Sequence, residues 1–105
     1  MEYGYARISR KKQNIERQVR NIKAQYPAAV IVQEAYTGTK LDRREWNRLY
    51  QRAVEGDRII FDSVSRMSRN AEEGYAAYEA LFLRGVDLIF LKEPHICTET
   101  FKSVL

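Results

Sequence analysis

Hydrophobic and polar residues follow two different periods along this chain. Four short apolar runs predict strands at residues 3–8, 29–33, 58–61 and 86–91. Between them, apolar residues recur every three or four positions and predict helices at residues 12–25, 42–56 and 70–85. Strands that alternate with helices in this way are typical of an α/β domain whose central sheet is mostly parallel. We therefore expect a sheet of four to five strands flanked by helices.

Polar residues at two places predict the boundaries and loops next to these elements. Asp42 and Glu45 stand three positions apart and form the signature of a capping box at the start of the second helix. The polar residues 36–40 are expected to form a loop, and so are residues 63–69, which are rich in serine and arginine. Loops of this kind often carry functional residues.

The composition describes a single basic domain. Its 105 residues are 45% hydrophobic and 30% charged, which suits one packed core and argues against intrinsic disorder. The formal net charge of +4 favours a polyanionic partner without requiring one. Cys97 is the only cysteine, so a disulfide within the chain is excluded and a reducing, cytoplasmic setting is expected. Because the chain shows neither a secretory signal nor an apolar run of membrane-spanning length, we expect a soluble protein.

Arginine and serine residues follow three of the predicted strands. Ligands of open α/β sheets gather at the carboxyl ends of parallel strands. These positions hold, in chain order, Arg7, Ser9, Arg43, Arg66 and Arg69. The planar guanidinium of arginine keeps its charge and pairs well with phosphate oxygens. Arg66 and Arg69 also precede a helix, where the helix dipole disfavours cations, so their position indicates an anionic ligand.

A serine hydroxyl beside such arginines is suited to attack a phosphate. Phosphoryl transfer depends mainly on in-line positioning and on neutralising the non-bridging oxygens, and arginines supply this charge without a metal ion. His95 is solitary, and no carboxylate pair or Cys/His cluster has the spacing of metal ligands. We therefore expect a reaction that needs neither a metal nor a cofactor.

Several short motifs occur in an order that is informative as a set. They are Tyr3-Gly4-Tyr5-Ala6-Arg7-Ile8-Ser9, Gln13, Gln18, Thr37-Gly38, Asp42-Arg43, Glu55-Gly56-Asp57, Ser65-Arg66-Met67-Ser68-Arg69, Arg84-Gly85-Val86 and Leu91-Lys92-Glu93-Pro94. This series resembles the catalytic domain of the serine site-specific recombinases, the resolvase and invertase family. Each motif is weak alone, but together they extend over nearly the whole chain.

The resemblance implies a resolvase-like three-layer fold and a recombination reaction on DNA. Ser9 would attack a DNA phosphodiester, giving a 5′-phosphoserine link and a free 3′-hydroxyl before strand exchange and religation. Arg7, Arg66 and Arg69 would hold the phosphate, with Arg43 as a further basic contributor. The partners implied are DNA and further copies of the protein, in dimers and tetramers. The supporting polar residues would be Gln13, Gln18, Thr37 and Asp42.

One position departs from the family pattern. Where the family often has an aspartate directly before the second-motif arginine, this chain has Ser65. A hydroxyl is a weaker partner than a carboxylate for the guanidinium of Arg66, and Asp62 lies three residues before Ser65. The departure is the main support for an alternative function, a non-catalytic basic α/β module that binds nucleic acid through phosphate contacts.

Some of these residues also have purely structural interpretations. Ser9 is suited to cap a helix, and Arg43 to be surface charge. Tyr5 is expected to pack rather than to react, and Trp46 lies at a helical spacing typical of a core residue. We expect residues 1–105 to form one catalytic domain, followed in the natural protein by an interface helix and a DNA-binding domain.

Overall fold

The computed structural model describes residues 1–7, 15–34, 43–68 and 71–98. Within these ranges, strands and helices alternate as the apolar pattern predicts. The elements are, in chain order, β1 (Glu2–Arg7), α1 (Ile15–Gln25), β2 (Val30–Glu34), α2 (Arg44–Arg52), β3 (Arg58–Phe61), α3 (Val64–Met67), α4 (Ala71–Leu83), β4 (Asp87–Phe90) and a 3-10 helix (Pro94–Ile96).

The described strands form one four-stranded sheet in the order β2-β1-β3-β4. All three neighbouring pairs are parallel, which confirms the predicted α/β fold. In the register of β1 and β2, Arg7 is opposite Glu34, and the last paired residues of β1 and β3 are Tyr5 and Phe61. The carboxyl ends of these three strands therefore meet at one edge of the sheet.

Alternate residues of the strands bury opposite faces of the sheet. Ile59 and Phe61 belong to the larger core cluster, together with residues of α2, α3 and α4. Ile60 lies between them in sequence and packs instead in a second cluster with Ile22 of α1. The sheet is therefore covered on both faces, as expected for a parallel sheet in a three-layer fold.

The second predicted helix and the predicted loop at residues 63–69 differ from the structure. Helix α2 ends at Arg52, with Ala53 as an extended C-cap residue, several positions before the predicted end near Gly56. Residues 63–69 were expected to be a loop, but residues 64–67 form the short helix α3. A helix of four residues is too short to show an apolar period, so the pattern could not reveal it. No helix within the described ranges is long and apolar enough to cross a bilayer.

Gly4 lets α1 approach β1 closely. A Cβ atom at this position would lie 2.7 Å from Cγ2 of Ile22 and 2.9 Å from Cδ1 of Ile31. Overpacking of this kind costs about 1–3 kcal/mol. We therefore expect Gly4→Ala to lower the free energy of unfolding by about that amount in urea denaturation.

The matched background for this test is Ile22→Ala, which removes the contacted Cγ2 atom. Adding Gly4→Ala to Ile22→Ala should cost less than half of what it costs alone, because the two sites share one contact. Equal costs in both backgrounds would contradict a steric origin.

Candidate functional site

Arg7 is the last residue of β1 and the centre of the candidate site, which we define as Arg7, Gln18, Arg43, Ser65 and Arg66. The Arg7 side chain is only 2% exposed. Its Nη2 atom donates a hydrogen bond to the backbone carbonyl of Ser65. A buried guanidinium keeps its charge, so it requires polar or anionic neighbours at this edge of the sheet.

Gln18 holds the backbone of Arg7 from α1. Its Oε1 atom accepts the Arg7 N–H at 3.0 Å, and its Nε2 atom donates to the Arg7 carbonyl at 2.7 Å. The buried amide thus makes both of the bonds that a neighbouring strand would make, at the point where β1 ends. The structure brings these two predicted residues together, and the role of Gln18 in the fold is to fix the backbone that precedes Ser9.

Arg66, on α3, also contacts the backbone of Arg7. Its Nη1 atom donates to the Arg7 carbonyl at 3.4 Å. Arg66 lies on α3, whose first N–H, that of Val64, donates to the Glu93 carboxylate at 3.0 Å. Met67 anchors α3 in the core at 2% exposure. A short helix with little stability of its own is therefore held at both ends, and it places Arg66 beside Arg7.

Arg43 precedes α2 and lies over two aromatic rings. Its guanidinium carbon is 5.1 Å from the centre of the Trp46 ring and 5.9 Å from that of Tyr5. Tyr5 and Arg7 are two positions apart on β1, so their side chains lie on the same face of the sheet. None of the described residues accepts a hydrogen bond from Nε or Nη2 of Arg43, although both atoms are buried.

The Ser65 side chain does not replace a carboxylate. Its hydroxyl lies 2.8 Å from the Ser63 hydroxyl, and its contact with Arg7 is made by the backbone carbonyl. Asp62 is buried and bonded elsewhere, because its carboxylate accepts from Asn21 at 2.9 Å and pairs with Lys92 at 3.2 Å. Asp62, the acidic residue nearest to Ser65 in the sequence, therefore links α1 to the residues that follow β4.

The remaining candidate residues lie outside the described ranges. They are Ser9, Gln13, Thr37, Asp42 and Arg69. Two of them are tied to the site by the chain itself, since Ser9 follows Arg7 by two residues and Arg69 directly follows Ser68. Two residues of extended chain span at most about 7 Å.

The buried Glu34 at the end of β2 is a residue that the sequence pattern missed. Its carboxylate accepts the Tyr5 hydroxyl at 2.8 Å and the backbone N–H groups of Glu45 and Trp46 at 3.1 and 2.9 Å. Glu34 therefore supplies acceptors for backbone N–H groups in the first turn of α2, where Arg43 is the N-cap residue. Asp42, the first residue of the predicted capping box, lies outside the described ranges.

The environment of Tyr5 keeps its hydroxyl protonated. Burial raises the pKa of the Tyr5 phenol well above its ordinary value; Arg43 lowers it and the Glu34 carboxylate raises it further. The protonated hydroxyl is a stable donor to Glu34. The predicted packing role of Tyr5 is confirmed by its complete burial in the core cluster, and the hydroxyl adds a polar contact.

An apolar groove is lined by residues of α3, of α4 and of the 3-10 helix. Its volume is about 770 Å³, and its lining residues include Met67, Gly74, Tyr75, Tyr78 and Ile96. In the part of the chain that the structure describes, no three His, Cys, Asp or Glu side chains group together to hold a metal ion.

Removing the amide of Gln18 is expected to destabilise the protein. Gln18→Ala deletes both contacts to the Arg7 backbone, and a lost buried hydrogen bond costs about 1–3 kcal/mol. We expect a decrease in the free energy of unfolding in that range, measured by urea denaturation. Gln25→Ala, at an exposed position of the same helix, should change it by less than about 0.5 kcal/mol. Similar losses in both variants would contradict the role of the amide contacts, because alanine has the higher helix propensity and does not itself destabilise a helix.

Comparison with known proteins gives one consistent family. The family model described as the resolvase N-terminal domain matches residues 2–105. A resolvase of Clostridium perfringens (strain 13 / Type A) is 29% identical over 100 residues, which cover 93% of this chain and 52% of that protein. The Tn501 transposon resolvase of Pseudomonas aeruginosa is 30% identical over 95 residues, or 90% of this chain and 49% of that protein.

Solved structures agree on the fold. A resolvase family site-specific recombinase from Streptococcus pneumoniae superposes with a TM-score of 0.72 at 23% identity, covering 98% of this chain and 78% of that chain. The chain spans about half the length of the curated relatives it matches. With the parallel sheet and the arginines at its carboxyl edge, the match over residues 2–105 shows that this chain belongs to the family of resolvase N-terminal domains.

Proposed function

We propose that this chain is the catalytic domain of a DNA recombinase in which Ser9 is the nucleophile. Its hydroxyl oxygen bonds to the phosphorus of a DNA phosphodiester as the bond from phosphorus to the 3′-oxygen breaks. The serine loses one proton and the 3′-oxygen gains one, so it leaves as a free hydroxyl. The product is a 5′-phosphoserine link that strand religation later reverses. The observation that carries the proposal is the pair of contacts that places Arg7 and Arg66 together at the end of β1, two residues before Ser9: Arg7 donates to the Ser65 carbonyl and Arg66 donates to the Arg7 carbonyl.

The charges of these arginines suit the reaction. The non-bridging oxygens of a phosphodiester carry negative charge that must be stabilised as the attacking oxygen approaches. Arg7 is buried and Arg66 is half-buried, so their charges act in a medium where interactions are stronger than in bulk water. Arg69, one residue beyond the described Ser68, is proposed as a third phosphate contact.

Arg43, which lies over the Tyr5 ring, supports the same proposal. Its buried Nε and Nη2 atoms have no acceptor among the described residues, and phosphate oxygens would supply two. Donors that are left without acceptors in a folded protein are costly, so such atoms are typical of a site that receives a ligand. The proposed supporting residues Gln13, Thr37 and Asp42 lie outside the described ranges.

The test is a covalent protein–DNA adduct formed without divalent metal. The full-length protein is incubated in EDTA with DNA that carries the ends of the mobile genetic element that encodes it. The products are then separated on a denaturing gel. We expect an adduct with the wild type and none with Ser9→Ala. DNA binding without an adduct in both proteins would contradict the proposal and favour a non-catalytic binding module.

We also propose DNA as the substrate and further copies of the protein as partners, in dimers and tetramers, because exchange between two DNA sites needs several active sites. The relatives are named as resolvases and as a resolvase family site-specific recombinase. We also propose that the full-length protein contains an interface helix and a DNA-binding domain. Analytical ultracentrifugation of the full-length protein, with and without DNA, measures the assembly.

A further inference from the structure

Glu34 has an unusual position for a carboxylate. It is 2% exposed, yet its carboxylate pairs with no lysine or arginine among the ion pairs of the described residues. Its acceptor capacity is used by the Tyr5 hydroxyl and by two N–H groups at the start of α2. A buried carboxylate is costly, and these three donors, with the positive end of the α2 dipole, offset that cost.

Each group that Glu34 contacts lies next to Arg43, either in the chain or in space. The N–H groups that it binds belong to Glu45 and Trp46, the second and third residues of α2, and Arg43 is the residue before that helix. The Tyr5 hydroxyl that it binds belongs to one of the two rings over which the Arg43 guanidinium lies. The carboxylate thus fixes the backbone that carries Arg43 and the aromatic ring beneath its side chain.

We propose that Glu34 is a positioning residue for Arg43, acting through Tyr5 and the first turn of α2. This inference rests on the proposed function, because it names how one phosphate-binding arginine is held. Arginine has a long side chain whose immobilisation costs conformational entropy at each binding event. A guanidinium that is held in place before the phosphate arrives stabilises charge without reorganisation.

A mutant cycle on the adduct reaction tests whether Glu34 acts through Arg43. Glu34→Gln and Tyr5→Phe are each expected to slow adduct formation about tenfold in the wild-type background. In the Arg43→Ala background the same changes should slow it less than about twofold, since the residue that they position is gone. Equal factors in the two backgrounds would overturn the proposal.

The control variant is Tyr3→Phe. Tyr3 lies two residues earlier on the same strand and in the same core cluster, and it loses the same single hydroxyl. Tyr3→Phe should leave the adduct rate within about twofold of wild type, which separates positioning of Arg43 from a general loss of packing.

A second readout needs no turnover. Because Nε of Arg43 is buried, its proton should exchange slowly with solvent, as measured by NMR on the full-length protein labelled with nitrogen-15. Glu34→Gln and Tyr5→Phe should speed this exchange at least about tenfold, whereas Tyr3→Phe should not. Unchanged exchange in both variants would overturn the positioning role even if the wild type forms no adduct, and an adduct missing from the wild type would refute only the proposed function.

Discussion

Arg7→Lys is expected to slow formation of the covalent DNA adduct by about 10²–10³-fold, the effect of removing one preorganised donor from a charged transition state. Lysine keeps the positive charge but loses the planar guanidinium that contacts the Ser65 carbonyl and that we propose also contacts the phosphate. Lysine makes fewer hydrogen bonds than arginine. Because the side chain at this position is 2% exposed, solvent water cannot replace the contacts that are lost. The measurement is the initial rate of adduct formation on a denaturing gel.

The matched control is Arg20→Lys, the same change at an exposed position of α1. It should leave the rate within about twofold of wild type, as surface substitutions usually have small effects. A circular dichroism melt of both variants checks that each is folded at the assay temperature. An Arg7→Lys rate close to that of Arg20→Lys would remove Arg7 from the proposed mechanism.

Phe61→Ala is expected to lower the free energy of unfolding by about 3–5 kcal/mol, the usual cost of deleting a buried aromatic ring. Phe61 is completely buried and stacks on Phe90 at 5.1 Å between ring centres. It also contacts Trp46 at 5.8 Å and Tyr5 at 5.9 Å, so one ring joins β1, α2 and β4. Such a loss is a large share of the roughly 5–15 kcal/mol that stabilises an ordinary domain.

Phe61→Leu is the control for this prediction, since it keeps most of the apolar volume. Its cost should stay below about 1.5–2 kcal/mol, because a smaller cavity remains. Urea denaturation of both variants gives the two values. A loss under about 1 kcal/mol for Phe61→Ala would contradict the position of this ring at the centre of the core.

The apolar pattern predicted the framework of the fold because each strand buries residues against a neighbouring layer. Ile59, Ile60 and Phe61 are all completely buried, as continuous apolar runs in a parallel sheet indicate. The same pattern placed Arg7 correctly at the end of β1. It ended β2 one residue early, at Gln33, because nothing local marks a glutamate as buried.

What the pattern missed depends on contacts between residues that are distant in sequence. Glu34 is buried because Tyr5, 29 positions away, and the start of α2 supply its donors. Helix α3 begins where the Val64 N–H meets Glu93, also 29 positions away. Ser65 contacts Arg7 through a backbone carbonyl, which every residue type possesses, so its identity alone could not indicate that contact. The roles proposed for Ser9 and Arg69 remain predictions.

The most direct test of the central claim is the chemical identity of the DNA link. The adduct formed in EDTA is digested with trypsin and nuclease, and the peptide that carries a nucleotide is sequenced by mass spectrometry. We predict a nucleotide 5′-phosphate on Ser9, together with free DNA 3′-hydroxyl ends that a polymerase extends. A nucleotide on any other residue, or a link through a 3′-phosphate, would contradict Ser9 as the nucleophile.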